Sequence, residues 1–242
     1  MNPDTLVAIC CYGGDAHQVI KALPQYLHHE CPTLVYSPED APADMRHPKV
    51  GSRLIGKVGY IGQVSLDRQL LHLHALLQHP AEYYLFHDSD SLCLSPKIPQ
   101  YLYDEPDVLW SNVVNDDYRA RPCHTDMPEL AFQPPYFFSR RVLLKMIEAG
   151  PGIRLQEARP FIDHYMVQLA VKAKINYKGF PNGRSFPAWN SPGHPGADFM
   201  VRAVQNDGVV MVHAVKHIEV VQRLMAARKE YLRTNPSARE KN

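Results

Sequence analysis

The sequence predicts an α/β fold, a mainly parallel sheet flanked by helices, and three observations carry that prediction. Short apolar runs of β type alternate along the chain with stretches of helical spacing. The first run, Leu6 to Cys11, breaks at the glycine turn Tyr12-Gly13-Gly14-Asp15 before a stretch of helical spacing begins. An amphipathic stretch, Ser65 to Gln78, leads straight into the aromatic run Tyr83 to Phe86. A chain of 242 residues is long enough to bury a substantial core as one domain.

Taken in order, Leu6 to Cys11 is the first strand, and His17 to His28 is a helix with Val19, Ile20, Leu23 and Leu27 on one stripe. Thr33 to Tyr36 is a second strand, followed by Ser37-Pro38-Glu39-Asp40 and a loop punctuated by proline and glycine to about Gly62. Ser65 to Gln78 is a helix with Leu66, Leu70, Leu73 and Leu77 on one side, stopped by Pro80. After the strand that opens at Tyr83, Asp107 to Trp110 reads as a short strand. A polar loop follows through Asn112, Asn115, Asp116, Asp117 and His124.

From Tyr136 the sequence FFSRRVLLKMIEAG enters a helix that ends at Gly150, where a glycine suits a left-handed cap. Phe161 to Ala173 is a further helix. Gly179 to Gly196, with four prolines and four glycines, reads as an irregular loop suited to an active site. Val209 to Val212 is the last strand, and a basic amphipathic tail runs from Val215 to Leu232. No internal repeat appears. The whole of 1–242 is read as a single domain of two lobes, about 1–117 and about 118–217, with a basic C-terminal helix and tail over 218–242.

The charge balance is nearly even, 26 basic against 25 acidic residues, so no overall field draws the protein to nucleic acid or anionic lipid. No apolar run reaches the length of about 20 residues that a membrane span needs, and MNPDTLVAICC lacks the basic flank of a signal peptide. The expectation is a cytoplasmic protein without a membrane span. Five cysteines, Cys10, Cys11, Cys31, Cys93 and Cys123, form no CxxC pair and are read as reduced thiols, with no zinc site.

The chemistry concentrates in EYYLFHDSDSL, where an apolar strand ends in Asp88 and Asp90 with only Ser89 between. Alternate residues of an extended strand share a face, so the two carboxylates are expected to converge. They repel each other, and a hard divalent cation, Mn²⁺ or Mg²⁺, is the natural group to sit between them.

A competing motif is GSRLIGKV, Gly51 to Val58, which matches the phosphate-binding pattern G-x-x-x-x-G-K except that Val58 stands where Ser or Thr should hold Mg²⁺. With Lys57 on the phosphates and Asp88 as the second acidic element, this would make a nucleotide phosphohydrolase or kinase. Two prolines in APADMRHPKV stand against the buried strand such a loop requires, and Gly59 and Gly62 are poor openings for its helix.

The order of a strand and turn at the start, an apolar strand ending in Asp-x-Asp near the middle, and a histidine leaving a late strand resembles the GT-A fold glycosyltransferases. The resemblance covers most of residues 5–217 and is one of order and short motifs. It implies a Rossmann-like, mainly parallel sheet, with 1–117 as the nucleotide-sugar lobe and 118–217 as the acceptor side. It also implies an inverting transferase that moves a sugar from a nucleotide diphosphate sugar, a UDP-sugar in first place, to a hydroxyl acceptor. The acceptor is a glycan, a lipid, a protein or a hydroxylated DNA base.

Residue by residue, the resemblance places Asp88 and Asp90 at the Mn²⁺ or Mg²⁺, Asp90 as the direct ligand and Asp88 touching the metal through water or holding the donor ribose. His213 in VVMVHAVKH completes the metal shell, and Lys216 meets the diphosphate. Cys11, Tyr12 and Asp15 after the first strand, Asp40 after the second, and Arg68 on the helix before the Asp-x-Asp strand become donor contacts. In PFIDHYMVQLA, Asp163 is the candidate catalytic base, with His164 sharing or replacing that role because Ile162 stands where the family has a further carboxylate. A protein of the same fold that binds a nucleotide-sugar without turnover is the remaining alternative. His72 and His74 in LLHLHALL are two apart on a helix and point different ways, so they do not pair on a metal. Trp110 and Trp189 are either sugar platforms or core.

Overall fold

The computed structural model describes residues 4–10, 33–37, 50–54, 63–88, 90–95, 98–115, 130–153, 162–181, 183–185, 193–213, 215 and 217–239. The helix expected over His17 to His28, and the polar stretch from Asp116 to His124, lie outside them. Among the described residues a seven-stranded sheet is built from β1 (Thr5–Cys10), β2 (Thr33–Ser37), β3 (Val50–Leu54), β4 (Tyr83–Asp88), β6 (Val108–Asn115), β7 (Leu130–Ser139) and β8 (Asn176–Gly179). Its order is β3-β2-β1-β4-β7-β6-β8. A three-stranded sheet in the order β5-β10-β9 is built from β5 (Leu92–Cys93), β9 (Gly183–Ser185) and β10 (Met211–His213).

The large sheet is mixed, and mainly parallel. β3, β2, β1 and β4 run parallel, as do β6 and β8, while β7 lies antiparallel between β4 and β6. Strand alternation sends Leu6 and Ala8 of β1, with Tyr84 and Phe86 of β4, to one apolar cluster. Val7, Ile9 and Leu85 go to the other. The first cluster is covered by α1 (Gln63–Leu76), α2 (Arg140–Ala149) and α3 (Ile162–Lys172), through Leu73, Val142, Met146, Met166 and Leu169. The second is covered by α4 (Pro195–Asp207) and α5 (Ile218–Thr234), through Met200, Val204, Val220 and Leu224. Burial on both faces is what the near-continuous apolar character of β1 and β4 requires.

Several elements differ from the sequence reading. The stretch expected to be a loop to about Gly62 contains β3, whose Gly51 to Leu54 pair in register with Leu34 to Ser37. That pairing overturns the phosphate-loop alternative: the first residues of GSRLIGKV are spent in an extended strand and cannot curl around a phosphate. The strand expected to end at Trp110 continues through Asn115, so Asn112 and Asn115 belong to β6 rather than to a loop. β7 holds Pro134 and Pro135, which lack the N–H that an interior strand uses. They are tolerated because the register with β6 jumps there, from Asn112 opposite Gln133 to Trp110 opposite Phe137. Asn112 Nδ2 then donates to the Pro134 carbonyl at 3.0 Å.

Helix α2 opens as its sequence implies, with the Ser139 hydroxyl accepting from the Val142 N–H at 3.2 Å. Its end is different. Gly150 is not left-handed but continues at φ −54° into a short 3-10 turn, Gly150–Gly152. A Cβ there would stand 2.5 Å from Leu70 Cδ1, so any other residue would have to turn the Leu70 side chain aside. The left-handed cap belongs instead to Gly208 after α4, at φ 67°. The span from Gly179 to Gly196, expected to be wholly irregular, holds β9 and the start of α4.

Candidate metal centre at the carboxyl end of the central strands

From β1 the chain builds outward through β2 and β3, then returns to place β4 on the other side of β1. The carboxyl ends of β1 and β4 therefore flank a point where the direction of winding reverses, the place where open α/β sheets leave a crevice for ligands. Cys10 and Asp88 are opposite each other in that last pairing. The aromatic run Tyr83 to Phe86 thus serves as a buried stem that delivers Asp88 to the crevice.

Asp90 arrives there by a turn and not by strand alternation. β4 ends at Asp88, and the Ser91 N–H donates to the Asp88 carbonyl at 3.1 Å, closing a tight turn across the Asp-x-Asp segment. β5 follows at once and pairs antiparallel with β10, Leu92 opposite Val212 and Cys93 opposite Met211. Two further backbone bonds fix this register: Leu94 N–H to the Val210 carbonyl at 2.7 Å, and Val215 N–H to the Asp90 carbonyl at 2.8 Å. The result carries His213 to the turn.

Asp88, Asp90 and His213 each present a ligand atom, and these atoms lie within 4.8 Å of one another. The imidazole Nδ1 of His213 is 3.6 Å from Asp90 Oδ1 and 2.9 Å from the Ser91 hydroxyl oxygen. Asp90 is only 6% exposed and Ser91 is fully buried, while Asp88 and His213 are partly open. Two carboxylates beside an imidazole, one of them almost out of water, form an oxygen and nitrogen donor set that fits a divalent cation, which would offset the repulsion between the carboxylates. The three residues read from the sequence as metal ligands are thus found together, although Asp90 comes there by a turn and not by strand alternation. The sequence reading missed Ser91, whose one signal is that it directly follows the Asp-x-Asp pair.

The other predicted residues divide by position. Cys11, Tyr12, Asp15, Asp40, Lys57, Trp189 and Lys216 lie outside the described residues. Arg68 falls within α1, and Asp163 and His164 fall in the first turn of α3. Helix α3 joins β8 through a short turn in which the Ile175 N–H donates to the Ala170 carbonyl at 2.8 Å. Its body packs against β7.

Some candidates resolve into structure. Trp110 is buried, stacked on Phe180 with ring centroids 6.4 Å apart, and is core. His72 is buried against Phe86 while His74 is exposed, so the two do point apart. Cys93 is buried in the core. Of the basic tail, Arg228 is buried and donates to the Gly208 carbonyl at 3.1 Å. Arg223 pairs with Asp198, and Arg233 with Glu230. Arg140 donates to the Tyr84 hydroxyl at 3.0 Å, and Arg141 pairs with Asp107 at 3.1 Å. No helix among the described residues is long and apolar enough to cross a membrane.

No protein-family model matches the chain, and no curated protein does. Among solved structures, the chain is similar to a glycosyltransferase involved in the glycosylation of the major capsid of PBCV-1. The identity is 13%, the match covers 92% of this chain and 98% of that one, and the TM-score is 0.48.

Proposed function

We propose that the chain is a metal-dependent glycosyltransferase of the GT-A type that moves a sugar from a nucleotide diphosphate sugar, a UDP-sugar in first place, to a hydroxyl acceptor with inversion. The observation that carries this reading is the cluster of Asp88, Asp90 and His213 at the carboxyl ends of the central strands. A bound Mn²⁺ or Mg²⁺ would supply positive charge against the diphosphate as it leaves with the electrons of the glycosidic bond. Asp88 and Asp90 hold the cation, and His213 gives it a nitrogen ligand.

Around that centre, Cys11, Tyr12, Asp15 and Asp40 receive the base and ribose, Arg68 reaches the donor, and Lys216 meets the diphosphate as a point charge. Asp163, with His164 beside it, takes the proton of the acceptor hydroxyl as its oxygen attacks the anomeric carbon. The acceptor is a glycan, a lipid, a protein or a hydroxylated DNA base. For the last of these, burial takes Arg228 out of the basic tail, while Arg223, Lys229 and Arg233 stay at the surface and keep that acceptor open.

The test is release of nucleoside diphosphate from a panel of nucleotide-sugars by the full chain, with Mn²⁺ and with a chelator. The expected result is metal-dependent release from one donor class, because an active transferase leaks sugar to water. Donor binding without any release, even with a broad set of acceptors, would instead mark a binding protein.

A further inference from the structure

We infer that Ser91 is a positioning residue for the metal centre: its hydroxyl oxygen accepts a hydrogen bond from Nδ1–H of His213 and so commits Nε2 to the cation. The inference rests on the reading of Asp88, Asp90 and His213 as a metal site. Three observations carry it. Ser91 Oγ stands 2.9 Å from His213 Nδ1, and the side chain is fully buried, so water does not compete for the contact. A carboxylate oxygen, Oδ1 of Asp90, faces the same ring nitrogen at 3.6 Å. The Ser91 N–H also holds the Asp88 carbonyl at 3.1 Å, so one residue fixes the turn that carries both carboxylates and the ring that joins them.

The tautomer follows from the electrostatics. A carboxylate oxygen is only an acceptor, and a lone pair on Nδ1 aimed at it would be repelled, whereas a proton on Nδ1 is attracted by both oxygens. In a neutral imidazole the proton on Nδ1 leaves the lone pair on Nε2, and the group bonded to one ring nitrogen sets which nitrogen takes the metal. Without the serine oxygen, the ring loses the partner that holds its plane. The Asp90 carboxylate still draws the proton to Nδ1, but without a hydrogen-bond acceptor at bonding distance there.

The experiment compares the full-length parent, Ser91→Ala, Ser91→Thr and Asp90→Ala in two measurements. In the metal-free protein, nitrogen-15 imidazole spectra should show His213 of the parent protonated on Nδ1, with Ser91→Ala shifting toward a mixture of tautomers. Titration with Mn²⁺ followed by electron paramagnetic resonance should show Ser91→Ala weakened by about 10- to 100-fold, the range seen when the partner of a metal-bound histidine is removed. Ser91→Thr, which keeps the hydroxyl, should restore the parent tautomer, and Asp90→Ala should lose the site. A parent that binds Mn²⁺ while Ser91→Ala binds it equally, with His213 unchanged in tautomer, overturns the role of Ser91 and leaves the metal site standing. A parent that binds no Mn²⁺ overturns the metal site itself. A parent whose His213 carries its proton on Nε2 overturns the assignment of the ligating nitrogen.

Discussion

Oδ1 of Asp90 lies 3.6 Å from Nδ1 of His213, and the backbone joins the same two places again, because the Val215 N–H donates to the Asp90 carbonyl at 2.8 Å. A side chain from the middle of the chain and one from near its end are thus locked by two independent contacts. The small sheet of β5, β10 and β9 exists to make this meeting, and its strands are too short to be stable without the core beneath them. The cluster is a property of the fold, and the predictions below separate its chemistry from its architecture.

Asp90→Asn should abolish metal-dependent donor binding while keeping the fold. The metal-free variant should melt at or above the parent temperature, since one of two neighbouring carboxylates has lost its charge. Calorimetric titration of a nucleotide-sugar with Mn²⁺, beside a thermal melt without metal, checks both parts. A variant that still binds as the parent does takes Asp90 out of the site.

His213→Ala should weaken Mn²⁺ and diphosphate binding by less than Asp90→Asn does, because the two carboxylates still supply the charge. The same titration ranks the variants. Equal loss in both would mean that His213 sets the structure of the turn, not only a ligand position.

Gly183→Ala should act on the site from a distance. A Cβ at Gly183 would run into Oδ1 of Asn112 and stand 2.7 Å from Phe180 Cβ, so β9 must move away from β6. β9 pairs with β10, Ser185 opposite His213. The expected effect is a loss of roughly 1–3 kcal/mol in stability, as for overpacking, together with weaker Mn²⁺ binding. Urea denaturation and the metal titration read the two effects separately, and parent-like values in both would show that the two sheets do not need this close approach.

Asp163→Asn should keep donor affinity and lower turnover by on the order of 10²–10⁴-fold if Asp163 is the base, since the interaction is made mainly in the transition state. Steady-state rates with an identified acceptor, set beside donor affinity, provide the check. Collapse of donor affinity would make the residue a donor or structural contact, and parent-like turnover would pass the role to His164 or to no base at all.

What the sequence made legible follows from where local pattern and tertiary structure agree. β1, β2, β4, α1, α2 and α3 carry their own signals, apolar runs or a helical stripe, and the Asp-x-Asp segment is visible because it ends such a run. β3 hides in a glycine- and proline-rich stretch because it lies at the sheet edge, where a parallel neighbour supplies what its composition does not. β7 hides because Pro134 and Pro135 argue against a strand, and only the register jump opposite Asn112 admits them. Ser91 hides for a different reason: its meaning depends on a histidine 122 residues away, and no local pattern encodes that contact.

The central claim is that Asp88, Asp90 and His213 hold a cation that in turn holds a nucleoside diphosphate. It is tested most directly by the melting temperature of the full chain with UDP or a UDP-sugar, with and without Mn²⁺, in the parent and in Asp90→Asn. Ligand at about 100 times its dissociation constant stabilises the folded state by about 2.7 kcal/mol. The expected result is a clear rise in the parent with nucleotide and Mn²⁺ together, a small one with either alone, and no more than that small rise from the pair in Asp90→Asn. An equal rise without metal, or the same rise in Asp90→Asn, would contradict it.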